Sequence, residues 1–419
     1  MRRSFPVLVL VVAAAAVAAC DETLEGGLGC GALCPEAPSE LRQDTIQAVE
    51  LDTTIGGFPA TGAESQLLLA ARGDTLDARV IVRFDSLPTS FRHNNTAIDS
   101  SIVDVDSAYL LLRLVKVDTL GPDITIEAYD VDVTVGDDTT VAVLVPRFEP
   151  SRLLGSVTYD PKTLKDTVKV PIDSAKLREK IQAEPQFQRL RIGIRITAAS
   201  SAELQVSSSN AGNFPKLVFK ASPAATVPQM DVSARSKTPL LPNIAADLLD
   251  FQIIAKAPPA APPNVLRIGG VPGVRGYMRF DIPARINDSS TIVRAQLVLT
   301  QRPNPEGAAS KDTGAVQVFG IAAGGVFTDL NRVLQFLSAS FDSTRLVPAD
   351  SGARNFEIIE IVRSWRGTRV ERTPRAIALR ATTEGSTPWQ VDFYSDEAPA
   401  ALRPRLIITY VPQPAPRIP

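Results

Sequence analysis

The sequence predicts an all-β protein made of two tandem domains of the β-sandwich or β-barrel type, with a few short helices. Three observations lead to this fold class. Apolar and polar residues alternate along many short segments, as they do in strands that bury one face. The 33 prolines and 25 glycines separate these segments by turns. Four sequence blocks occur twice in the same order, which indicates a duplicated domain.

The N-terminus carries the features of an export signal. Arg2 and Arg3 precede an uncharged apolar run that ends at Ala19. This run is short for a membrane span and ends in small residues, as signal peptides do. The ending Val17-Ala18-Ala19-Cys20 resembles the lipobox of bacterial lipoproteins. The resemblance implies that residues 1–19 are removed and that Cys20 is lipidated. The alternative is an ordinary secretory signal that happens to contain a cysteine.

The segment after the signal is predicted to be a flexible tether. Residues 20–47 are rich in Gly, Pro and acidic residues and show no apolar period. Cys30 and Cys34 are the two cysteines other than Cys20, an even pair in an oxidising compartment, and we expect them to form a disulfide. A metal site is the alternative, but two thiols alone do not complete one. We therefore expect an exported protein, lipid-anchored to a bacterial membrane and facing the periplasm or the cell surface.

The duplicated blocks set the predicted domain bounds. A first domain is expected at 48–221, a linker at 222–242, a second domain at 243–412 and a Pro-rich tail at 413–419. The paired blocks are 79–85 with 275–281, 107–113 with 294–300, 191–197 with 375–381, and 214–219 with 403–408.

Short helices are predicted to interrupt the strands. Asp173 or Ser174 can cap a helix that carries Leu177 and Ile181 and stops before Pro185. The matching segment of the second copy, 358–365, places Ile358, Val362 and Trp365 on one face. Asp329 can cap a further helix.

The second copy also carries a family pattern. It contains, in order, Arg279-Phe280-Asp281, Ala295-x-Leu297-x-Leu299, Trp365, Ala378-Leu379-Arg380, Phe393-Tyr394-Ser395-x-Glu397 and Pro404-Arg405-Leu406. This pattern resembles DNRLRE-type domains, which are bacterial surface modules of jelly-roll architecture akin to a family of carbohydrate-binding modules. The resemblance implies two tandem jelly-roll β-sandwich domains. It also implies a non-catalytic role in binding an extracellular polysaccharide or an envelope protein. The first copy matches less fully, because it lacks the tryptophan and the glutamate.

Composition argues against two other functions. The formal net charge of −2 does not suit nucleic-acid binding, which needs a basic surface. His93 is the only histidine, and the sequence has no Gly-x-Ser-x-Gly elbow for a hydrolase nucleophile. An enzyme acting on polysaccharide is therefore the least favoured hypothesis. A structural or adhesive stalk protein without a small ligand remains the main alternative to a binding module.

The candidate site residues fall into two groups. Asp104 with Asp106 and Asp130 with Asp132 are weak candidates for a structural Ca²⁺, because carboxylates two apart on a strand share a face. Solvated charges that protect a sheet edge from aggregation explain these pairs without a bound ion and are the favoured alternative. No other cofactor is expected. The ligand-binding candidates are Tyr394, which falls on a polar strand face, and three arginines able to bind acidic sugars: Arg366, Arg380 and Arg405. Ordinary surface pairing with nearby Asp and Glu residues is the favoured alternative for these arginines. Trp365 and Trp389 fall on apolar faces and are favoured as core residues.

Overall fold

The computed structural model describes most of the chain after residue 39. The described residues are 40–47, 49–59, 61–92, 99–119, 123–132, 140–212, 215–222, 227–235, 249–305, 309, 311–321, 343–365 and 375–413. Several predictions lie outside these residues and remain predictions. They concern the signal peptide, residues 20–39 of the tether with Cys20, Cys30 and Cys34, and also His93, the helix at Asp329, Arg366 and residues 414–419.

The predicted all-β sandwich fold with a few short helices is confirmed. The first strands are β1 Arg42–Ile46, β2 Val49–Phe58, β3 Gln66–Arg72, β4 Leu76–Phe84, β5 Ser90–Arg92, β6 Asp99–Ser101, β7 Ser107–Thr119, β8 Ile124–Asp130, β9 Leu153–Tyr159, β10 Thr167–Pro171, β11 Leu190–Ala198, β12 Ala202–Ser207, β13 Lys216–Lys220, β14 Gln229–Ser233 and β15 Asp250–Lys256. The later strands are β16 Val265–Gly269, β17 Gly273–Phe280, β18 Ser290–Arg302, β19 Gly314–Ile321, β20 Ser343–Leu346, β21 Gly352–Glu357, β22 Ala376–Ala381, β23 Gln390–Tyr394 and β24 Arg405–Pro412. The described α-helices are α1 Val141–Leu144, α2 Ser174–Gln182, α3 Ala284–Asn287 and α4 Ile359–Ser364.

The strands form two large antiparallel sheet systems with the same order. The first sandwich, made of β3, β4 and β7–β15, has the order β14-β13-β7-β12-β3-β4-β11-β8-β9, with β15 beside β4 and β10 beside β7. The second sandwich, made of β1, β2 and β16–β24, has the order β1-β24-β18-β23-β16-β17-β22-β19-β20, with β2 beside β17 and β21 beside β18. The two orders agree position by position. The hairpin β5–β6 forms a separate two-stranded sheet.

The two sandwiches exchange their first two strands. β1 and β2 precede the first sandwich in the chain, yet they pair with β24 and β17 of the second. Conversely, β14 and β15 precede β16 but pair with β13 and β4 of the first sandwich. Each sandwich is therefore completed by strands from the other repeat, and residues 42–419 form one compact unit.

This exchange differs from the predicted segment bounds. Arg42–Ile46 fall in the predicted flexible tether but form β1 of the second sandwich. Residues 49–58, assigned to the first domain, lie in the second sandwich, and β14 lies within the predicted linker. Alternation along a strand reports which of its faces is buried, but it does not identify the sheet that the strand joins.

One predicted correspondence between the copies is also shifted. The sequence comparison aligned Arg191 with Arg375. In the structure, Arg191 lies opposite Arg83 on β4, whereas Ala376 lies opposite Arg279 on β17. Arg83 and Arg279 are equivalent, so Arg191 corresponds to Ala376. The arginines at the two strand starts therefore do not match.

The inward strand faces build one core in each sandwich. Val80, Val82 and Phe84 of β4 belong to the first core, and Met278 and Phe280 of β17 belong to the second. The predicted helices at Asp173 and at 358–365 are confirmed. The Asp173 carboxylate accepts the backbone N–H groups of Ala175 and Lys176 and so caps α2.

A smaller apolar cluster contains residues of both sandwiches. Leu68 and Ala78 of the first sandwich pack in one cluster with Val271 of the second. The Gln252 side chain accepts the Leu68 N–H at 3.0 Å and donates to the Gly385 carbonyl. Apolar and polar contacts therefore hold the exchanged arrangement at the junction.

The strand exchange predicts which fragment folds alone. Residues 64–256 contain β3 to β15, so they include every strand of the first sandwich. We expect this fragment to unfold cooperatively in urea. The matched fragment 64–222 lacks β14 and β15 and should lose that cooperative transition, because the outer edges of β13 and β4 stay open. Equal transitions in both fragments would contradict the exchange.

Candidate ligand-binding site

The structure scatters the predicted ligand-binding residues. Arg380 lies on β22, Tyr394 ends β23 and Arg405 begins β24, all three partly exposed. No hydrogen bond or ion pair joins these three side chains within the described part of the chain. Trp365 and Trp389 are both buried in the second core, as their apolar faces predict, and the Trp389 indole donates to the Asp312 carbonyl at 3.1 Å.

Three of the four aspartate candidates form salt bridges. Asp104 faces Arg178 at 3.3 Å, and Asp106 is exposed. Asp130 lies 2.9 Å from Lys180, and Asp132 lies 3.0 Å from Arg189. Lysine and arginine groups therefore occupy positions at which a cation would bind Asp130 and Asp132. Among the described residues, no group of three or more His, Cys, Asp or Glu residues could hold a metal ion.

Arg380 lies in an environment that the sequence did not reveal. Leu379 and Ala381 of β22 point into the second core, so alternation turns Arg380 to the outer face. Its guanidinium carbon lies 4.5 Å from the centroid of the Phe319 ring, and its Nη2 donates to Gln317 at 3.1 Å. Its Nε is buried and has no hydrogen-bond partner among the residues that the structure describes.

The surroundings lower the pKa of Arg380. Desolvation is the largest cause. The charge of Glu384 acts in the opposite direction, and the charge of Arg275 adds to the lowering. The sum of these effects disfavours the protonated guanidinium, so the protein destabilises the positive charge of Arg380.

The neighbouring carboxylate is held by another arginine. Glu384 accepts two hydrogen bonds from Arg275, from Nε and Nη2, each 2.7 Å long. The Arg275 guanidinium also stacks on Phe58 of β2, with its carbon 3.8 Å from the ring centroid. This fork-to-fork pair uses both oxygens of Glu384. Arg380 therefore keeps a positive charge that no described hydrogen-bonded carboxylate balances.

The first sandwich provides a matched comparison at Arg195. Arg195 lies opposite Glu127 on β8, just as Arg380 lies opposite Gln317 on β19. Its Nε donates to Glu127 and its Nη2 to the Tyr129 hydroxyl, both at 2.7 Å. Burial alone would lower the pKa of Arg195, but the hydrogen bond and charge of Glu127 raise it above its ordinary value. The charge of Arg195 is therefore balanced within the protein.

Two replacements remove that balance in the second sandwich. In the strand register, Gln317 occupies the position equivalent to Glu127, and Phe319 occupies the position equivalent to Tyr129. The second sandwich therefore keeps the arginine but lacks the carboxylate and the hydroxyl that contact it in the first. Sequence analysis missed both replacements, because strands β8 and β19 were not among the duplicated blocks. An alignment of Glu127-Ala128-Tyr129 with Gln317-Val318-Phe319 would have shown them.

The arrangement at Arg380 suits an oxyanion. A guanidinium presents a planar set of donors that fits a carboxylate in two-point contact. The Phe319 ring keeps one face of the guanidinium away from water, which strengthens its interaction with an incoming anion. We define Arg380, Gln317 and Phe319 as the arginine site.

The buried acid Glu64 lies in the connection between β2 and β3. Glu64 is 5 % exposed, and its Oε2 has no hydrogen-bond partner in the described part of the molecule. Burial raises the pKa of Glu64 from its ordinary 4.5 to about 7, and the nearby Asp250 carboxylate adds to the effect. A group buried so deeply is poorly placed to meet a substrate.

Comparisons with known proteins give no family. No family model matches the chain, and no curated protein matches it. Among solved structures, the subviral particle of infectious bursal disease virus VP2 is similar with 9% identity, a TM-score of 0.13 and coverage of 89% of this chain and 77% of that chain. The T=1 particles derived from the same virus give 10% identity, a TM-score of 0.12 and coverage of 90% and 74%. Likeness at this level supports no conclusion about function. In the described residues, no helix is long and apolar enough to cross a membrane.

The raised pKa of Glu64 predicts how stability depends on pH. A folded-state pKa above the unfolded value means that the folded protein holds the proton more tightly. The resulting stabilisation is complete below pH 4.5 and is lost as the pH rises to about 7. Glu64→Gln should remove this dependence and raise the free energy of unfolding at pH 8 by up to about 3 kcal/mol. Urea unfolding at pH 4.5 and pH 8 measures both. A variant that keeps the slope of the parent protein would show that Glu64 is not its source.

Proposed function

We propose that this protein is a non-catalytic, lipid-anchored bacterial surface protein whose β-sandwich modules bind an extracellular glycan that carries carboxylate groups. The lipobox-like ending at Cys20 supports the anchor. The resemblance of the second copy to DNRLRE-type domains supports the binding role. The site for the acidic group is the arginine site of the second sandwich.

The observation that carries this proposal is the unbalanced charge of Arg380. A half-buried guanidinium without a carboxylate partner costs free energy, because part of its hydration has been removed. The first sandwich avoids that cost with Glu127 at the equivalent position. Binding of a carboxylate would give Arg380 the partner that Arg195 already has. The free energy that the free protein loses by burying Arg380 without a carboxylate would therefore be recovered in the complex.

The polar groups with strongly altered environments do not favour catalysis. Glu64 is buried in the connection between β2 and β3, and Asp250 is held by the backbone N–H and the hydroxyl of Ser209 at 2.8 and 2.6 Å. The carboxylates Asp130 and Asp132 are neutralised by basic side chains. A general acid or base needs access to the substrate as well as a shifted pKa.

The second candidate function is a structural stalk in the cell envelope. The exchange of strands favours it, because it ties both sandwiches into one compact unit. A stalk needs such a connection, whereas a pair of independent binding modules does not. The stalk hypothesis requires no ligand at Arg380.

Binding experiments on residues 40–419 separate these two functions. We expect this chain to bind polygalacturonate or alginate, which carry a carboxylate on every sugar, and not neutral dextran. Arg380→Gln should weaken binding about tenfold or more, since a hydrogen bond to a charged group contributes about 1.5–3 kcal/mol. Isothermal titration calorimetry measures the affinity.

Two matched variants sharpen this test. Gln317→Glu keeps the arginine but gives it an internal partner, so it should weaken binding as Arg380→Gln does. Arg195→Gln removes the equivalent arginine of the first sandwich, whose charge is already balanced, and should leave affinity unchanged. Equal losses for Arg195→Gln and Arg380→Gln would indicate a nonspecific charge effect. The absence of any binding to the acidic polymers would favour the stalk.

The anchor is tested separately. We expect radiolabelled palmitate to be incorporated into the wild-type precursor in a bacterial host and the protein to sediment with membranes. Cys20→Ser should abolish both, because the thiol is the site of acylation. Cys30→Ser is the matched control and should retain the label. Label that persists in Cys20→Ser would overturn the proposed anchor.

A further inference from the structure

The segment that enters the second sandwich from outside is Arg42–Phe58, which we call the donor segment. β1 pairs with β24 in register from Arg42 opposite Tyr410 to Ile46 opposite Leu406. β2 pairs with β17 from Val49 opposite Phe280 to Phe58 opposite Gly273. The donor segment thus covers two strand edges that would otherwise be open.

Side chains of the donor segment also bind the second sandwich. Asp44 lies 2.8 Å from Arg285 and accepts a hydrogen bond from the Tyr410 hydroxyl at 3.2 Å. Asp52 accepts the backbone N–H of Asp396 at 2.6 Å. Ile46 is buried in the second core. Recognition therefore combines main-chain ladders, an apolar anchor and charged contacts.

The first sandwich receives its strands in the same manner. Asp250 lies opposite Val82 on β4, as Asp52 lies opposite Met278 on β17. Asp250 accepts the N–H of Ser209, the residue equivalent to Asp396, at 2.8 Å. Both acceptor sites therefore hold an incoming aspartate with the N–H of the turn that follows β12 or β23. The same contact in both sandwiches marks these strand edges as a docking site for this pair of strands.

We infer that the second sandwich can accept the donor segment of a second copy of this chain, which yields a strand-exchanged dimer. The contacts are the same whether the segment comes from the same chain or from another copy, so the two states differ only in the connections. The partner is fixed by the contacts above, because the acceptor edges match the donor sequence of this chain at Asp44, Ile46 and Asp52. Strand addition to an open edge gains main-chain hydrogen bonds together with side-chain specificity.

The connection between the donor segment and the first sandwich is the part of the chain that must change conformation during the exchange. Residues 59–65 join β2 to β3, and residues 257–264, with the sequence Ala-Pro-Pro-Ala-Ala-Pro-Pro-Asn, join β15 to β16. Only the former must rearrange for the donor segment to leave. The first sandwich keeps all its strands throughout, because β14 and β15 remain in place.

Disulfide trapping tests the exchange between copies. Residues 40–419 include the whole compact unit and contain no cysteine. Gln43 and Thr409 lie directly opposite each other in the β1–β24 ladder. One chain carries Gln43→Cys and another carries Thr409→Cys, so neither can close a disulfide within itself. The two are mixed at high concentration, passed through mild urea, returned to buffer and oxidised.

A disulfide-linked heterodimer on a non-reducing gel is the expected result, with the link between positions 43 and 409 identified by mass spectrometry. The control acceptor is Arg405→Cys, which lies four residues from Thr409 along the strand, or about 13 Å. That distance exceeds the roughly 7 Å between Cα atoms that a disulfide tolerates. The heterodimer should be lost with this acceptor.

A double variant, Gln43→Cys with Thr409→Cys in one chain, checks the register itself. It should close within the chain and migrate as a monomer when it is oxidised without urea. Closure in the double variant, with no heterodimer above the Arg405→Cys control in the mixture, would overturn the inference. Failure of the double variant to close would overturn it as well, because the ladder on which it rests would then be wrong.

Discussion

The exchange of the first two strands between the repeats is the constraint on which the rest of the structure depends. Neither sandwich is complete within one continuous repeat: β24 and β17 need β1 and β2, and β13 and β4 need β14 and β15. Each exchanged pair covers open edges and adds apolar side chains, such as Ile46 in the second sandwich and Phe251 in the first. The stability of one repeat therefore depends on the presence of the other, and a mutation in β1 or β2 acts on the sandwich that lies later in the chain.

Duplication has left two copies of one arrangement with different electrostatics. In the first sandwich Arg195, Glu127 and Tyr129 form a closed hydrogen-bonded set. In the second, Arg380 faces a neutral amide and a phenyl ring. Burial of a charge costs free energy unless a partner offsets it, so the guanidinium of Arg380 is less well stabilised than that of Arg195. A binding protein can use such a local cost, since the free energy is recovered when a ligand supplies the missing charge.

Much of the fold could be predicted because local patterns report local structure. Val80, Val82 and Phe84 alternate and are buried, and Asp173 caps the helix that carries Leu177 and Ile181. The exchange could not be predicted, because β1 and β14 compete for equivalent edges and alternation does not distinguish between them. Arg380 is a ligand-binding candidate from the sequence, and that role stays a prediction. Its environment could not be predicted, because it depends on Gln317, which is distant in sequence and adjacent only through the register of β19 and β22. Such pairings are set by tertiary structure and not by spacing.

The pairing of β1 with β24 also fixes the order in which the molecule can be completed during synthesis. Arg42 lies opposite Tyr410, so a strand made near the beginning of the chain waits for a partner made near its end. The first sandwich can close once residues up to 256 are available, whereas almost the whole chain must be available before β1 has an edge to join. Until then β1 has no edge to pair with, and an unpaired strand can associate with the strands of other chains.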